Sequence, residues 1–349
     1  MLSINKAPKK ICILRLSAIG DVTHVIPVVR VIQQQWPDTE ITWVCGKFEY
    51  KLLNIIEGVR FIVFDKNSGF KAYRELWKKL KGEHFDLLLQ MQVAARANFA
   101  SFGIKADLKL GWDKARSRDL HQLFVSHSVE EKHQQHQVQG FLSFAREIGL
   151  DANTPNWSIP ITQKAKEFSD KFIEKDKKIL IISACSSHKL RNWSASRYAQ
   201  LADYAIEHYG MQVILSGGPA DIEVNMAREI TSEMQYSALN LVGRDTLEQL
   251  VGLLSMATVV VSPDSGPAHL ANALGVPVIG LYACTWSKRS GPYNSLNYCV
   301  DKFELAAEKY LNKAANDLRW GTKIEEQGVM ELIQVDEVCA KLDQVLNKF

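Results

Sequence analysis

Residues 259–282 read VVVSPDSGPAHLANALGVPVIGLY. The β-branched run at 259–261 predicts a buried parallel strand. Asp264-Ser265-Gly266-Pro267 predicts a tight loop and the first turn of a helix, since Asp and Ser cap helices and Pro is accepted at their first position. Gly275 followed by Pro277 stops that helix, and residues 278–282 restore a strand. A helix that begins just past the carboxyl end of a strand presents unpaired N–H groups and a partial positive charge. That setting suits a phosphate or diphosphate. An ordinary, well-capped β–α turn has the same outline. Asp264, Ser265 and His269, all within about one turn of the helix start, tip the reading toward binding.

Short apolar runs alternate with helical patterns on both sides of this unit. Strands are expected at 11–14, 41–44, 61–64, 85–89, 179–183 and 213–216, and helices at 25–35, 196–209, 246–256 and 336–346. Such alternation predicts an α/β protein with doubly wound parallel sheets. Pro155 and Pro160 flank a polar stretch at 151–161 that reads as a linker, giving one Rossmann-like domain over 1–160 and another over 161–330. Two such domains in series are expected to face a central cleft with their strand carboxyl ends, where open α/β sheets take ligands.

At 349 residues, 46% hydrophobic and 23% charged, the chain has the composition of a globular protein with two cores. Its net charge of +3 is unevenly spread: residues 1–160 hold 22 Lys/Arg against 16 Asp/Glu, the rest 20 against 23. The first half should therefore meet something anionic. No recognisable nucleic-acid module is present, which argues against that partner. No apolar run approaches the roughly 18–20 residues of a membrane span, and no signal-peptide pattern precedes the first strand, so a cytoplasmic location is expected. The six cysteines are scattered without zinc-ligand spacing, and reduced, mostly buried thiols are expected.

Four further groups of residues could carry chemistry. The first β–α turn, Arg15 to Asp21, has one glycine and no dinucleotide fingerprint. Asp21 reads either as a simple cap or as a general base that acts by position. His24, one turn on, reads as an assistant or as a packing residue. Residues 183–193 (SACSSHKLRNW) follow a strand and combine hydroxyls with His188, Lys189 and Arg191, as a phosphate clamp or a solvated loop. In the turn Gly217-Gly218-Pro219, glycines allow close approach of a ligand, and Asp221 or Glu223 offers a carboxylate to its hydroxyls. Last, Lys66, Lys71, Arg74, Lys78, Lys79 and Lys81 surround an apolar stripe of Phe70, Tyr73, Trp77 and Leu80. That is either a basic face suited to an anionic membrane or an ordinary solvated face. Arg96, Arg116, Arg118 and His136 fall in or beside loops and are candidates for an acidic acceptor.

Taken together, LRLSAIGDVTHVIP (14–27), SSHKLRNW (186–193), SGGPADIE (216–223) and SPDSGPAHLANALGVPVIGLY (262–282) resemble the ADP-heptose:lipopolysaccharide heptosyltransferases, in order and through nearly the whole chain. The nearest likeness is to heptosyltransferase I, which adds the first heptose to the Kdo sugar of the inner core. The resemblance implies a GT-B fold with a final helix, 331–349, crossing back to the first domain. It implies inverting, metal-independent transfer from ADP-heptose to Kdo-lipid A at the cytoplasmic face of the inner membrane, without a cofactor. On this likeness Asp21 is the base. Ser186, Ser187, Arg191, Asp221, Asp264, Ser265, Gly266 and His269 serve the donor, and Arg15, His24, Arg96, Arg116, Arg118 and His136 the acceptor. Arg191 stands where the family usually has Lys. Rival readings are a second-heptose transferase of the same family, a sugar-nucleotide epimerase on the same scaffold, and a sugar-binding protein without catalysis.

Overall fold

Six parallel strands build the sheet of the first unit: β1 (Lys10–Leu14), β2 (Glu40–Gly46), β3 (Val59–Phe64), β4 (Phe85–Gln90), β5 (Ala106–Gly111) and β6 (His127–Ser128). Their order is β3-β2-β1-β4-β5-β6. The computed structural model describes residues 6–347. β1 is fully covered on both faces from Ile11 to Leu14, and Leu87 to Leu89 of β4 are equally buried. This explains why these strands are continuous apolar runs rather than alternating ones.

The second unit repeats the plan with β7 (Ile179–Ile182), β8 (Gln212–Leu215), β9 (Leu239–Asn240), β10 (Val259–Pro263), β11 (Val278–Tyr282) and β12 (Val300–Asp301), in the order β12-β11-β10-β7-β8-β9. Counted from the first strand of each unit, both sheets have the doubly wound order of the Rossmann fold, reversing direction between first and fourth strands. Chain contacts divide the protein into Met1–Pro160 and Ile161–Phe349. The last helix, Val335–Leu346, packs on the helix Ala195–Tyr209 and beside β11 and β12. Its Val338, Cys339, Leu342, Val345 and Leu346 belong to the second unit's core. The apolar side of this closing helix thus contributes to the second unit's core.

The edge strands β6, β9 and β12, each two residues long, and the neighbouring β5 carry no apolar run that would announce them. The first helix, Ile19–Gln35, starts six residues before its expected position, so Asp21 lies inside its first turn.

Candidate active site

In the first unit the direction of winding reverses between β1 and β4, and the loops leaving these strands are stitched together. Met91 N–H donates to the Leu14 carbonyl (3.1 Å) and Leu16 N–H to Gln92 Oε1 (2.7 Å). Arg15 follows β1 directly. Its Nη1 donates to the Met91 carbonyl (2.7 Å) and its Nη2 pairs with Asp21. Gln137 donates to the other Asp21 oxygen. The guanidinium also lies 5.3 Å from the centre of the Phe141 ring. A carboxylate that remains 22% exposed is therefore fixed in direction at the carboxyl end of the sheet by these two side-chain donors and, as a helix cap, by Ala18 N–H (3.4 Å). Such a group is a weak base but a well-placed one. Gly46, at the end of β2, is needed here: a Cβ would stand 2.4 Å from the Leu16 carbonyl oxygen.

The other acceptor candidates separate. Arg96 and Arg118 are exposed. Asp119 accepts from Ala95 N–H (2.9 Å), which holds the loop of Arg118 against the helix start that carries Arg96. Arg116 is spent on its own loop: it pairs with buried Asp113, donates to Gln135 (3.0 Å) and the Glu130 carbonyl (2.9 Å), and lies over Trp112. His136 caps the helix Gln137–Glu147, accepting from Val138 N–H (3.2 Å). His24 is buried against Phe141 and His136. For these three residues the structure shows framework tasks where the sequence suggested acceptor contacts. Beneath them lies a buried network in which His121 Nε2 accepts from Trp112 N–H (3.1 Å) and its Nδ1 meets Asn98 Oδ1 (2.9 Å). Burial lowers the His121 pKa to about 4.

In the second unit the reversal lies between β7 and β10, and the segment quoted at the outset leaves β10 there. Ser262 donates to the Ser183 carbonyl (2.9 Å), joining the two strand ends, and its oxygen lies 2.7 Å from that of Ser265. Ser265 precedes the helix Gly266–Ala273, and its side chain makes no capping bond to the helix amides. Those amides and the helix dipole are what an anion would meet. Asp264 is held by His269 (3.3 Å), Ser290 (3.1 Å) and Thr285. Burial pushes its pKa up, but the His269 hydrogen bond and charge and the two hydroxyls outweigh this, leaving it below the ordinary carboxylate value.

The loop after β7 supplies the cations. Ser186 is buried and engaged within the loop, its hydroxyl donating to the His188 carbonyl (3.1 Å) and accepting from His188 N–H (3.3 Å), whereas Ser187 is exposed. Arg191 grips Glu325 through Nε (2.8 Å) and Nη2. The hydrogen bond from Arg191 lowers the Glu325 pKa. The segment around Glu325 is fixed by Ile324 N–H donating to the Cys284 carbonyl (2.8 Å). Lys323, whose pKa burial lowers, feels the charges of Arg191, Glu325, Arg289 and Asp264. Arg289, Lys323 and Glu325 thus join a charged cluster that the sequence pattern did not disclose.

Of the two carboxylates after the glycine turn, Glu223 faces it, accepting from Gly218 N–H, while Asp221 is exposed in the first helical turn. The sequence left either carboxylate open and the family likeness named Asp221; it is Glu223 that turns to the glycines. Asp245 joins Glu223: Gly243 N–H donates to the Gly217 carbonyl (2.8 Å), bringing that segment alongside. Burial, then the Glu223 charge, raise Asp245 to about 7.

Residues 73–318 match the sequence profile of glycosyltransferase family 9 (heptosyltransferase). The chain is 41% identical to the lipopolysaccharide core heptosyltransferase OpsX of Haemophilus influenzae over 97% of its own length and 98% of the relative's. The chain belongs to glycosyltransferase family 9. Among solved structures, a family 9 glycosyl transferase from Veillonella parvula superposes with a TM-score of 0.81 at 19% identity, covering 98% of each chain. The E. coli heptosyltransferase WaaC with ADP gives 0.74 at 19% identity, covering 96% of this chain and 99% of that one. These likenesses give this family 9 glycosyltransferase the GT-B fold, whose two halves are the Rossmann units described above. Asp21 lies before the matched profile and Lys323 and Glu325 after it. No group of three or more potential metal ligands is assembled among the described residues.

Proposed function

We propose that this family 9 enzyme is an inverting heptosyltransferase that uses ADP-heptose as donor and the Kdo of Kdo-lipid A as acceptor, from the cytoplasmic side of the inner membrane. The observation that carries the substrate assignment is the 41% identity, along almost the full chain, with a lipopolysaccharide core heptosyltransferase. The geometry supports a division of labour. The second unit holds the donor: the amides at Gly266 and Ser265 take the diphosphate with Arg191, Ser187 and the neighbouring cations, and Asp264, held by His269, meets heptose hydroxyls. Glu223 takes the role first given to Asp221. The first unit holds the acceptor, with Arg96 and Arg118 for its anionic groups and Asp21 oriented by Arg15 and Gln137.

In the reaction the acceptor hydroxyl loses its proton to Asp21 while its oxygen bonds to the anomeric carbon, opposite the leaving group. The electron pair of the breaking bond departs with ADP. Negative charge therefore grows on the diphosphate, where helix amides and Arg191 stabilise the transition state more than the ground state. Their charge supplies compensation that another glycosyltransferase would take from a divalent ion. The basic excess of residues 1–160 suits an anionic acceptor.

Incubation of the full chain with ADP-heptose and Kdo-lipid A should add one heptose mass to the lipid. Addition only to an acceptor that already bears heptose would reassign it as a second-heptose transferase. Epimerised donor without transfer would overturn the reading.

A further inference from the structure

We propose that the first unit docks on an anionic lipid surface through an aromatic platform shared by two helices, Phe70–Lys79 and Ala95–Phe102. Phe70, Tyr73 and Trp77 recur at helical spacing on the first helix, and Phe99 of the second packs among them. Ring centres lie 4.9 Å apart for Tyr73–Phe99, 5.4 Å for Trp77–Phe99 and 6.2 Å for Phe70–Phe99. The core-facing residues of the first helix, Ala72 and Leu76, are a separate, buried stripe. Tyr73 and Trp77 lean, half-buried, on the same core, so what the ridge adds beyond the fold is the exposed rings that extend it, Phe70 and Phe99.

This platform is built, not incidental. Trp77 donates its indole N–H to the Ala100 carbonyl (3.1 Å), and its ring lies so close over Gly103 that a Cβ there would meet it at 2.1 Å. The two helices are thereby locked in register. Yet Phe70 is 61% exposed, Phe99 40% and Phe102 74%. Contiguous exposed rings of this kind are costly in water and mark an interaction surface.

The flanks name the partner. Arg74 and Lys78 project one helical step from the ridge, and Arg96 stands three residues before Phe99 on the same side of its helix, all exposed. Of the nearby basic residues, Lys71 has a carboxylate neighbour, Glu75 at 3.7 Å. Rings that seek the headgroup boundary, with cations beside them, fit an anionic bilayer. A second copy of the chain fits poorly: a two-fold contact would set the same cations against each other. The inference rests on a lipid-anchored acceptor, and places that lipid's membrane beside Arg96, one of the residues assigned to the acceptor.

Flotation of the full chain with phosphatidylglycerol/phosphatidylcholine vesicles tests it. The wild type should float with them, and far less with phosphatidylcholine alone or in high salt. Phe70→Ser with Phe102→Ser, both at exposed positions, should lower the partition about tenfold or more, with unchanged thermal midpoint and unchanged transfer to a soluble, delipidated acceptor. Arg74→Glu with Lys78→Glu should abolish the preference for anionic lipid. Equal flotation of wild type and the serine variant would overturn the proposal, as would a wild-type dimer that Phe102→Ser converts to monomer. Absence of transfer to any acceptor by the wild type would instead sink the reaction assigned above, leaving the flotation result standing.

Discussion

The two sheets have the same strand order and the same point of reversal, yet the loops rising from those points carry opposite chemistry. At the end of β1 a carboxylate, Asp21, is presented between an arginine and a glutamine. At the end of β10 a helix start offers amides, with Arg191, Arg289 and Lys323 gathered around Asp264 and Glu325. On the function proposed above, one unit accepts a proton and the other accepts negative charge. The scaffold fixes where chemistry can sit, and a handful of loop residues decides which chemistry it is.

That contrast breaks most directly at Asp21. Asp21→Asn keeps the shape and removes the proposed base, so transfer should fall by about 10²–10⁴-fold while ADP affinity by calorimetry stays as in the wild type. Weaker ADP binding with normal turnover would show that the labour is not divided in this way. On the donor side Arg191→Ala should raise the donor KM by about 10- to 100-fold, the range for loss of a charge-assisted hydrogen bond. Glu325→Gln should shift the same parameter less, by loosening the guanidinium it grips; a larger effect from Glu325 than from Arg191 would reverse their ranking.

A smaller effect separates the units by stability. Burial depresses His121 from the ordinary 6.5 to about 4. Between those values the unfolded chain binds a proton that the folded first unit does not, so stability falls as pH drops from 6.5 toward 4. The loss should reach the order of 1–3 kcal/mol, seen as a falling thermal midpoint that His121→Gln flattens. No change in the pH slope would place the acid sensitivity elsewhere.

Much of this arrangement was legible because start and stop signals are local. The 259–282 segment names its own strand, cap and helix end, and β1 announces itself as an unbroken apolar run. What the sequence left hidden depends on partners, distant or nearby, that only the folded chain path selects. Arg191 reads as a free phosphate ligand until Glu325, 134 residues away, is brought to it. Asp221 and Glu223 are indistinguishable by pattern, since only the path of the helix decides which turns to Gly218. Arg116 and His136 look available because loops are polar; their engagement follows from Asp113 and Val138, whose geometry no spacing rule supplies. The final helix shows the same lesson. A helix at 336–346 was expected, but a helical pattern does not say which core it seals.

Trp193 donates its indole N–H to the Ile333 carbonyl (3.1 Å), and Arg197 donates to the same oxygen (2.6 Å). The phosphate-side loop is therefore moored to the segment just ahead of the closing helix. A chain shortened before residue 321 would keep every donor residue named from its motifs, and would still lose the mooring of Trp193 and the grip on Arg191. Inventories of motifs would score such a fragment as intact.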